Sequence, residues 1–183
     1  MADGDGDGDV VRALDAAALR ARRNELVELI ADAVDGGASV GYVLPHSTPD
    51  YVQLWDDVAA AVNAGECEVL VCERRGRIVG TVQFAPCVKP NGRHRGEVRK
   101  LLVLREMRGE GIGARLMREV EALAARRGQR LLVLDTRADS EAEHLYRKLG
   151  WQAFGTVPDY ANDPDGTPAD CVFFYKRCGE GSP

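Results

Sequence analysis

Arg108, Gly109, Gly111 and Gly113 fall within LLVLREMRGEGIGA (residues 101–114), where an apolar run gives way to glycines and then to helical spacing. That order suits anion binding. Glycine has no Cβ atom, so backbone N–H groups can close on an anion. A helix that starts there adds unpaired donors and a partial positive charge. Arg108, Gly109, Glu110, Gly111, Ile112, Gly113 and Ala114 therefore form a candidate cradle for a pyrophosphate, with Arg108 supplying charge. The same letters fit Gly109-x-Gly111-x-x-Ala114, a loose dinucleotide fingerprint, and Asp135 stands where a ribose-binding acid would belong. Context opposes that fit, because a hairpin precedes the motif and 48 residues follow Asp135 in a chain of 183. A purely structural glycine turn is the plainer alternative.

Two acids bracket the cradle. Glu97 opens the apolar segment leading into it, and Asp135 closes the next such segment. A carboxylate beside an amine can take its proton and so unmask a nucleophile. Free α-amines hold that proton with a pKa of about 8 and side-chain amines with about 10. On adjacent strands the two acids would flank one cavity and attract a cation, and their repulsion would raise one pKa. Glu97 can also be read as a solvated strand-end acid and Asp135 as the cap of the following helix. Tyr146 shares a stripe with Ala142, Leu145 and Leu149, so a buried core tyrosine is its plain reading.

The elements that must position these residues follow from periodicity. Residues 12–34 carry helical spacing through Leu19, Leu26, Ile30 and Ala33, ended by Gly36 and Gly37. The loop GGASVGYVLPHSTP precedes a second helix over 49–64. Strands at 68–73 and 77–86 flank Arg74-Arg75-Gly76 as a hairpin. A strand at 97–104 feeds the cradle, a helix spans 111–127, and 130–136 is apolar without alternation, as a central parallel strand is. A helix at 140–149 and strands at 151–157 and 171–176 complete the order, with PDYANDPDGTP as the last loop. The order α-α-β-β-β-α-β-α-β-β describes an α/β chain, a mixed sheet with helices on both faces.

Composition narrows the class. The net charge is −5, and Asp3, Asp5, Asp7 and Asp9 carry four of those charges, leaving near −1, without the basic face of a nucleic-acid binder. Residues 1–9 read as a disordered acidic tail ahead of one domain at 10–178. The tail half-matches a calcium loop, but Leu14 stands at the twelfth position, so no metal is expected. No apolar run approaches the roughly 20 residues of a membrane span, and an acidic N-terminus is no signal peptide, so a cytoplasmic protein is expected. The five cysteines match no zinc spacing and read as reduced structural thiols. His46, His94 and His144 stand in no catalytic setting.

Arg108-x-x-Gly111-x-Gly113 after a strand resembles the acetyl-CoA signature of the GNAT family of N-acetyltransferases, and Ala142-x-x-x-Tyr146-x-x-x-Gly150-Trp151 resembles that family's later block. The segments GGASVGY, KPNGRHRGEVRKLLVL, LLVLDT and Pro158-x-Tyr160 with PDG further resemble the tabtoxin-resistance branch. The likeness implies the acyl-CoA N-acyltransferase fold, with acetyl-CoA as cosubstrate. It implies a strand that bulges and splays from its parallel neighbour, with Leu102, Val103 and Leu104 offering backbone groups to the pantetheine arm and an N–H to the thioester. It gives Glu97 and Asp135 the roles of substrate binding and general base, and Tyr146 that of acid to the departing thiolate. Gly37, Ser39 and Tyr42 are the first expected acceptor-side residues, Asp159 and Tyr160 the second. The expected acceptor is a small-molecule amine, and the scheme needs no metal; a protein amine or a non-catalytic acyl-CoA sensor are the alternatives. Relatives often pair, so the resemblance admits a homodimer.

Overall fold

The computed structural model describes residues 8–178, so the acidic run at 1–7 lies outside the described residues. The elements are β1 (Val10–Leu14), α1 (Ala16–Ala21), α2 (Arg23–Asp35), α3 (Thr48–Asn63), β2 (Glu68–Arg74), β3 (Arg77–Pro86), β4 (Arg95–Val103), α4 (Ile112–Arg126), β5 (Leu131–Arg137), α5 (Glu141–Lys148), β6 (Gln152–Asn162) and β7 (Pro168–Arg177). Among the described residues, seven strands form one sheet in the order β1-β2-β3-β4-β5-β7-β6. Only β4 and β5 run parallel; every other neighbour pair is antiparallel. Helices α2 and α4 both pack on β3 and β4. The Ile112 and Leu116 side chains of α4 close on Gly80, where a Cβ would lie 3.2 and 3.0 Å from them. Trp55, Tyr51, Phe84, Phe174, Leu116 and Met117 fill the core. No helix among the described residues is long and apolar enough to cross a membrane.

The expected α/β class stands, with three corrections. The segment read as one helix over 12–34 is a strand and two helices. Val10–Leu14 pairs with β2, and the Arg12 guanidinium binds Glu73 at 2.7 Å. Asp15 then starts α1 by accepting the Ala18 N–H at 2.8 Å. Arg22 interrupts the helical run, with φ −106° and a side chain drawn to Glu25 and Glu73. Glu73 lies 51 residues from Arg22, so periodicity alone could not reveal the break. Asp9, placed in the tail, has its carboxylate on Arg74 at 2.7 Å. Finally, β6 runs to Asn162 and β7 starts at Pro168, through most of the expected final loop. Pro158 is accommodated because the β6–β7 register shifts between Val157 and Ala161, at the sheet edge.

Helix α5 is started by Ser140, whose hydroxyl accepts the Glu143 N–H at 3.1 Å. That assigns the cap to Ser140 and leaves Asp135 free of that role. Ser140→Ala should lower stability by about 1 kcal/mol, read as a lower denaturant midpoint. An unchanged midpoint would mean that α5 is held by packing alone.

Candidate active site

The cradle is built by a short helical turn at 105–107 and the glycines that follow it. Gly109 and Gly111 take φ of +81° and +84°, in the left-handed region that favours glycine. Gly111 is the N-cap of α4, so the helix points its first free N–H groups into the loop. Gly113 has a different task. A Cβ there would lie 3.2 Å from Leu145, so its smallness lets α5 approach α4. The Arg108 Nε donates to the Val103 carbonyl at 3.4 Å. The Glu110 carboxylate pairs with Arg74, so Glu110 lends the cradle only its backbone. Arg118 and Lys148, which the motif did not suggest, line the same cleft and add cations.

Beyond the cradle, β4 parts from β5. Their ladder covers Arg95↔Leu131, Gly96↔Leu132 and Glu97↔Val133, although both strands continue for several residues. The cause lies in β4, whose register against β3 shifts between Thr81 and Gln83. Lys100 sits in the corresponding stretch with φ +52°. Extra residues in a bulged strand bend it away from its neighbour. The expected bulge and splay are therefore present. The three residues proposed to line the gap are not equivalent. The Leu104 N–H donates to Val79 at 3.0 Å and its carbonyl accepts from Met107 at 2.9 Å, leaving no spare backbone group. Backbone groups alternate sides along a strand, so Leu102, opposite Thr81, shares the β3 side with Leu104. Val103 is the residue whose backbone groups lie on the gap side, its carbonyl accepting from Arg108 and its N–H facing the gap.

A cleft of about 1500 Å³ joins the cradle, the gap and an acceptor end. Glu97, Asp135, Tyr146, Gly37, Ser39 and Tyr42 all line it. Asp159 and Tyr160 do not. The Asp159 N–H is taken by the Asp170 carboxylate, and the Tyr160 ring packs edge-on against Phe173 at 4.9 Å. Ala161, Asn162 and Asp163 reach the cleft in their stead, because β6 is longer than its apolar pattern suggests. The Ser39 hydroxyl donates to the Asn162 carbonyl at 3.0 Å, joining the two acceptor-side segments.

The two acids differ in setting. Glu97 lies 3.7 Å from Arg99 across an exposed ion pair. Burial raises the Asp135 carboxyl above its ordinary value, and the Lys100 cation pulls partly back. The dominant cause is thus desolvation, whereas the sequence suggested repulsion between acids. Tyr146 is 6% exposed and packs against Trp151 and Phe174 at 6.1 and 6.0 Å. Burial and Asp135 push its phenol well up, so it keeps its proton. Among the described residues its hydroxyl has no hydrogen-bond partner. Cys171 also lines the cleft, but burial and the acids Asp135, Asp163 and Asp170 raise its thiol. A protonated thiol is a poor nucleophile. All three histidines lie outside the cleft lining.

A family model described as the acetyltransferase (GNAT) family matches residues 37–151, spanning the loop before α3, the cradle and α5. The chain belongs to the GNAT family. It is an acetyl-CoA-dependent N-acetyltransferase with the GNAT fold. Among solved structures it is similar to a ribosomal-protein-alanine N-acetyltransferase from Brucella melitensis. The two share 26% identity over 92% of this chain and 99% of that one, with a TM-score of 0.73. A phosphinothricin acetyltransferase from Sinorhizobium meliloti, solved with acetyl-CoA, shares 21% identity over 95% of this chain and 90% of that one, with a TM-score of 0.74. The yncA protein of Salmonella typhimurium, solved with its cofactor acetyl-CoA, shares 21% over 96% and 97%, with a TM-score of 0.75. At 21% identity the last two speak to the fold alone.

Proposed function

We propose that this GNAT enzyme moves the acetyl group of acetyl-CoA onto the amine of a small molecule, by direct attack within a ternary complex. The observation that carries this reading is the continuity of the cleft. One cavity runs from the glycine turn, past the parted strands, to Asp135 and the loop at 36–43. The diphosphate lies on the N–H groups after Arg108, and the pantetheine arm pairs with Val103. The Val103 N–H polarises the thioester carbonyl, where negative charge develops. Asp135 takes the proton of the acceptor ammonium, and its raised pKa suits it to that exchange. The freed amine bonds to the carbonyl carbon, the C–S bond breaks as Tyr146 passes its proton to the sulfur, and the second proton that the nitrogen sheds on becoming an amide restores the Tyr146 hydroxyl. Glu97 holds the cationic acceptor near Asp135.

The resemblance to the tabtoxin-resistance branch supports an amino-acid-like acceptor, and the phosphinothricin acetyltransferase fold neighbour is in keeping with it. The ribosomal-protein-alanine N-acetyltransferase neighbour supports the competing acceptor, a protein N-terminus. A thiol-release assay with acetyl-CoA and three acceptor sets separates them: small amines, tabtoxinine-β-lactam, and peptides with free N-termini. The proposal expects turnover with a small amine and little with peptides. The reverse ranking overturns it.

Tyr146→Phe should lower kcat by about tenfold to a hundredfold, within the range of one positioned proton donor. Affinity for CoA should be unchanged, because the ring's packing is kept. A wild-type kcat would return Tyr146 to the core.

A further inference from the structure

Lys100 is a cleft residue to which neither the cradle motif nor the acid pair assigns a task. Its backbone takes φ +52° in the stretch where β4 departs from β5. Its side chain crosses from that stretch to the acceptor loop, where Nζ donates to the Val40 carbonyl at 2.7 Å. The loop is shaped for the contact. Gly41 has φ +95°, and a Cβ there would meet Lys100 Nζ at 3.5 Å. Two further donors remain on the ammonium. Burial draws the Lys100 pKa below its ordinary value, Arg99 on β4 lowers it further, and Asp135 on β5 and Glu97 on β4 favour the cation. Asp135 in turn is faced by Lys100, by Tyr146 from α5 and by Cys171 from β7.

We propose that Lys100 is a positioning residue for acetyl transfer: its ammonium ties the acceptor loop to the bulged stretch of β4 and keeps a cation opposite Asp135. The bend that opens the sheet and the loop that receives the acceptor then move as one unit. The inference rests on the reading of Asp135 as the acceptor-side base. A left-handed conformation at a lysine is strained, and such strain persists where surrounding contacts fix it. Here the Val40 bond fixes it. The cation favours the ionised Asp135, which is the form able to take a proton.

Lys100→Met and Lys100→Arg distinguish this role from filling. Hydrogen exchange of the protein without ligands reads the tie by itself. In the Met variant the Ala38 and Leu44 amides, which flank the tied segment and donate to the Ala33 and Pro164 carbonyls, should exchange about tenfold faster, with core strands unchanged, whereas Arg should keep most of the protection. The second readout is the pH profile of kcat/KM on the best small amine. Loss of the cation should move its acidic limb upward by about 1 pH unit in the Met variant and little in the Arg variant. KM for the amine should rise about tenfold and KM for acetyl-CoA should stay. Loop exchange and an acidic limb both at wild-type values in Met overturn the proposal, as does an Arg variant as impaired as Met. If the wild type acetylates no small amine, the proposed function fails, while the exchange result still decides the tie.

Discussion

Asp135→Asn should lower kcat/KM by about 10² to 10⁴-fold, the range lost with a positioned general base. The amide keeps the shape and cannot accept the ammonium proton. In the parent enzyme kcat/KM should fall as the pH drops through the Asp135 pKa, at a point above the ordinary carboxyl value of 3.8. The variant should lose that limb. Stability should move the other way. A carboxyl whose pKa is raised on folding binds its proton more tightly in the folded chain. It therefore adds stability below pH 3.8, and that contribution is lost as the pH rises through the folded-state value. At pH 7.5 the ionised group is a net cost, so the amide should melt at the same or a higher temperature. The difference should close as the pH falls below 3.8. A variant that kept full turnover would move the base elsewhere, with Glu97→Gln the next to measure.

Gly111→Val should weaken CoA binding by about a hundredfold, measured by calorimetry on folded protein. The position has φ +84° and starts α4. A left-handed conformation costs an L-residue about 1–2 kcal/mol, and a β-branched side chain tolerates it least. No neighbour lies within 4 Å of a Cβ there, so crowding is not the reason. The backbone must rotate to relieve φ, and rotation turns the N–H groups away from the anion. Each charge-assisted hydrogen bond so lost is worth about 1.5–3 kcal/mol. Unaltered affinity would show that the diphosphate lies elsewhere.

The glycine turn before α4 was legible because its signal is local: a strand, glycines needing positive φ, and a helix face follow one another within fourteen residues. The β2–β3 hairpin and α3–α5 were legible for the same reason. What escaped depends on partners far along the chain. β1 is fixed by β2, some sixty residues away, and its ion pair to Glu73 reads as helical charge in the sequence. β6 outlasts its apolar pattern because it lies at the sheet edge, where Pro158 is tolerated at a bulge. Lys100 gives no signal in the sequence, because a lysine within a strand reads as solvated surface. Only the positive φ and the Val40 contact reveal its direction. The assignment of backbone groups among Leu102, Val103 and Leu104 required the ladder itself.

The brevity of the β4–β5 ladder bears on how a catalytic cycle ends. If the substrate's arm lends the hydrogen bonds that the two strands forgo, the spent carrier keeps that arm and its diphosphate after giving up the acetyl group. Free CoA should then hold on nearly as well as acetyl-CoA and compete with it for the same seat. Departure of the spent carrier, more than bond making, would then limit the steady rate, and an early burst of product would reveal it.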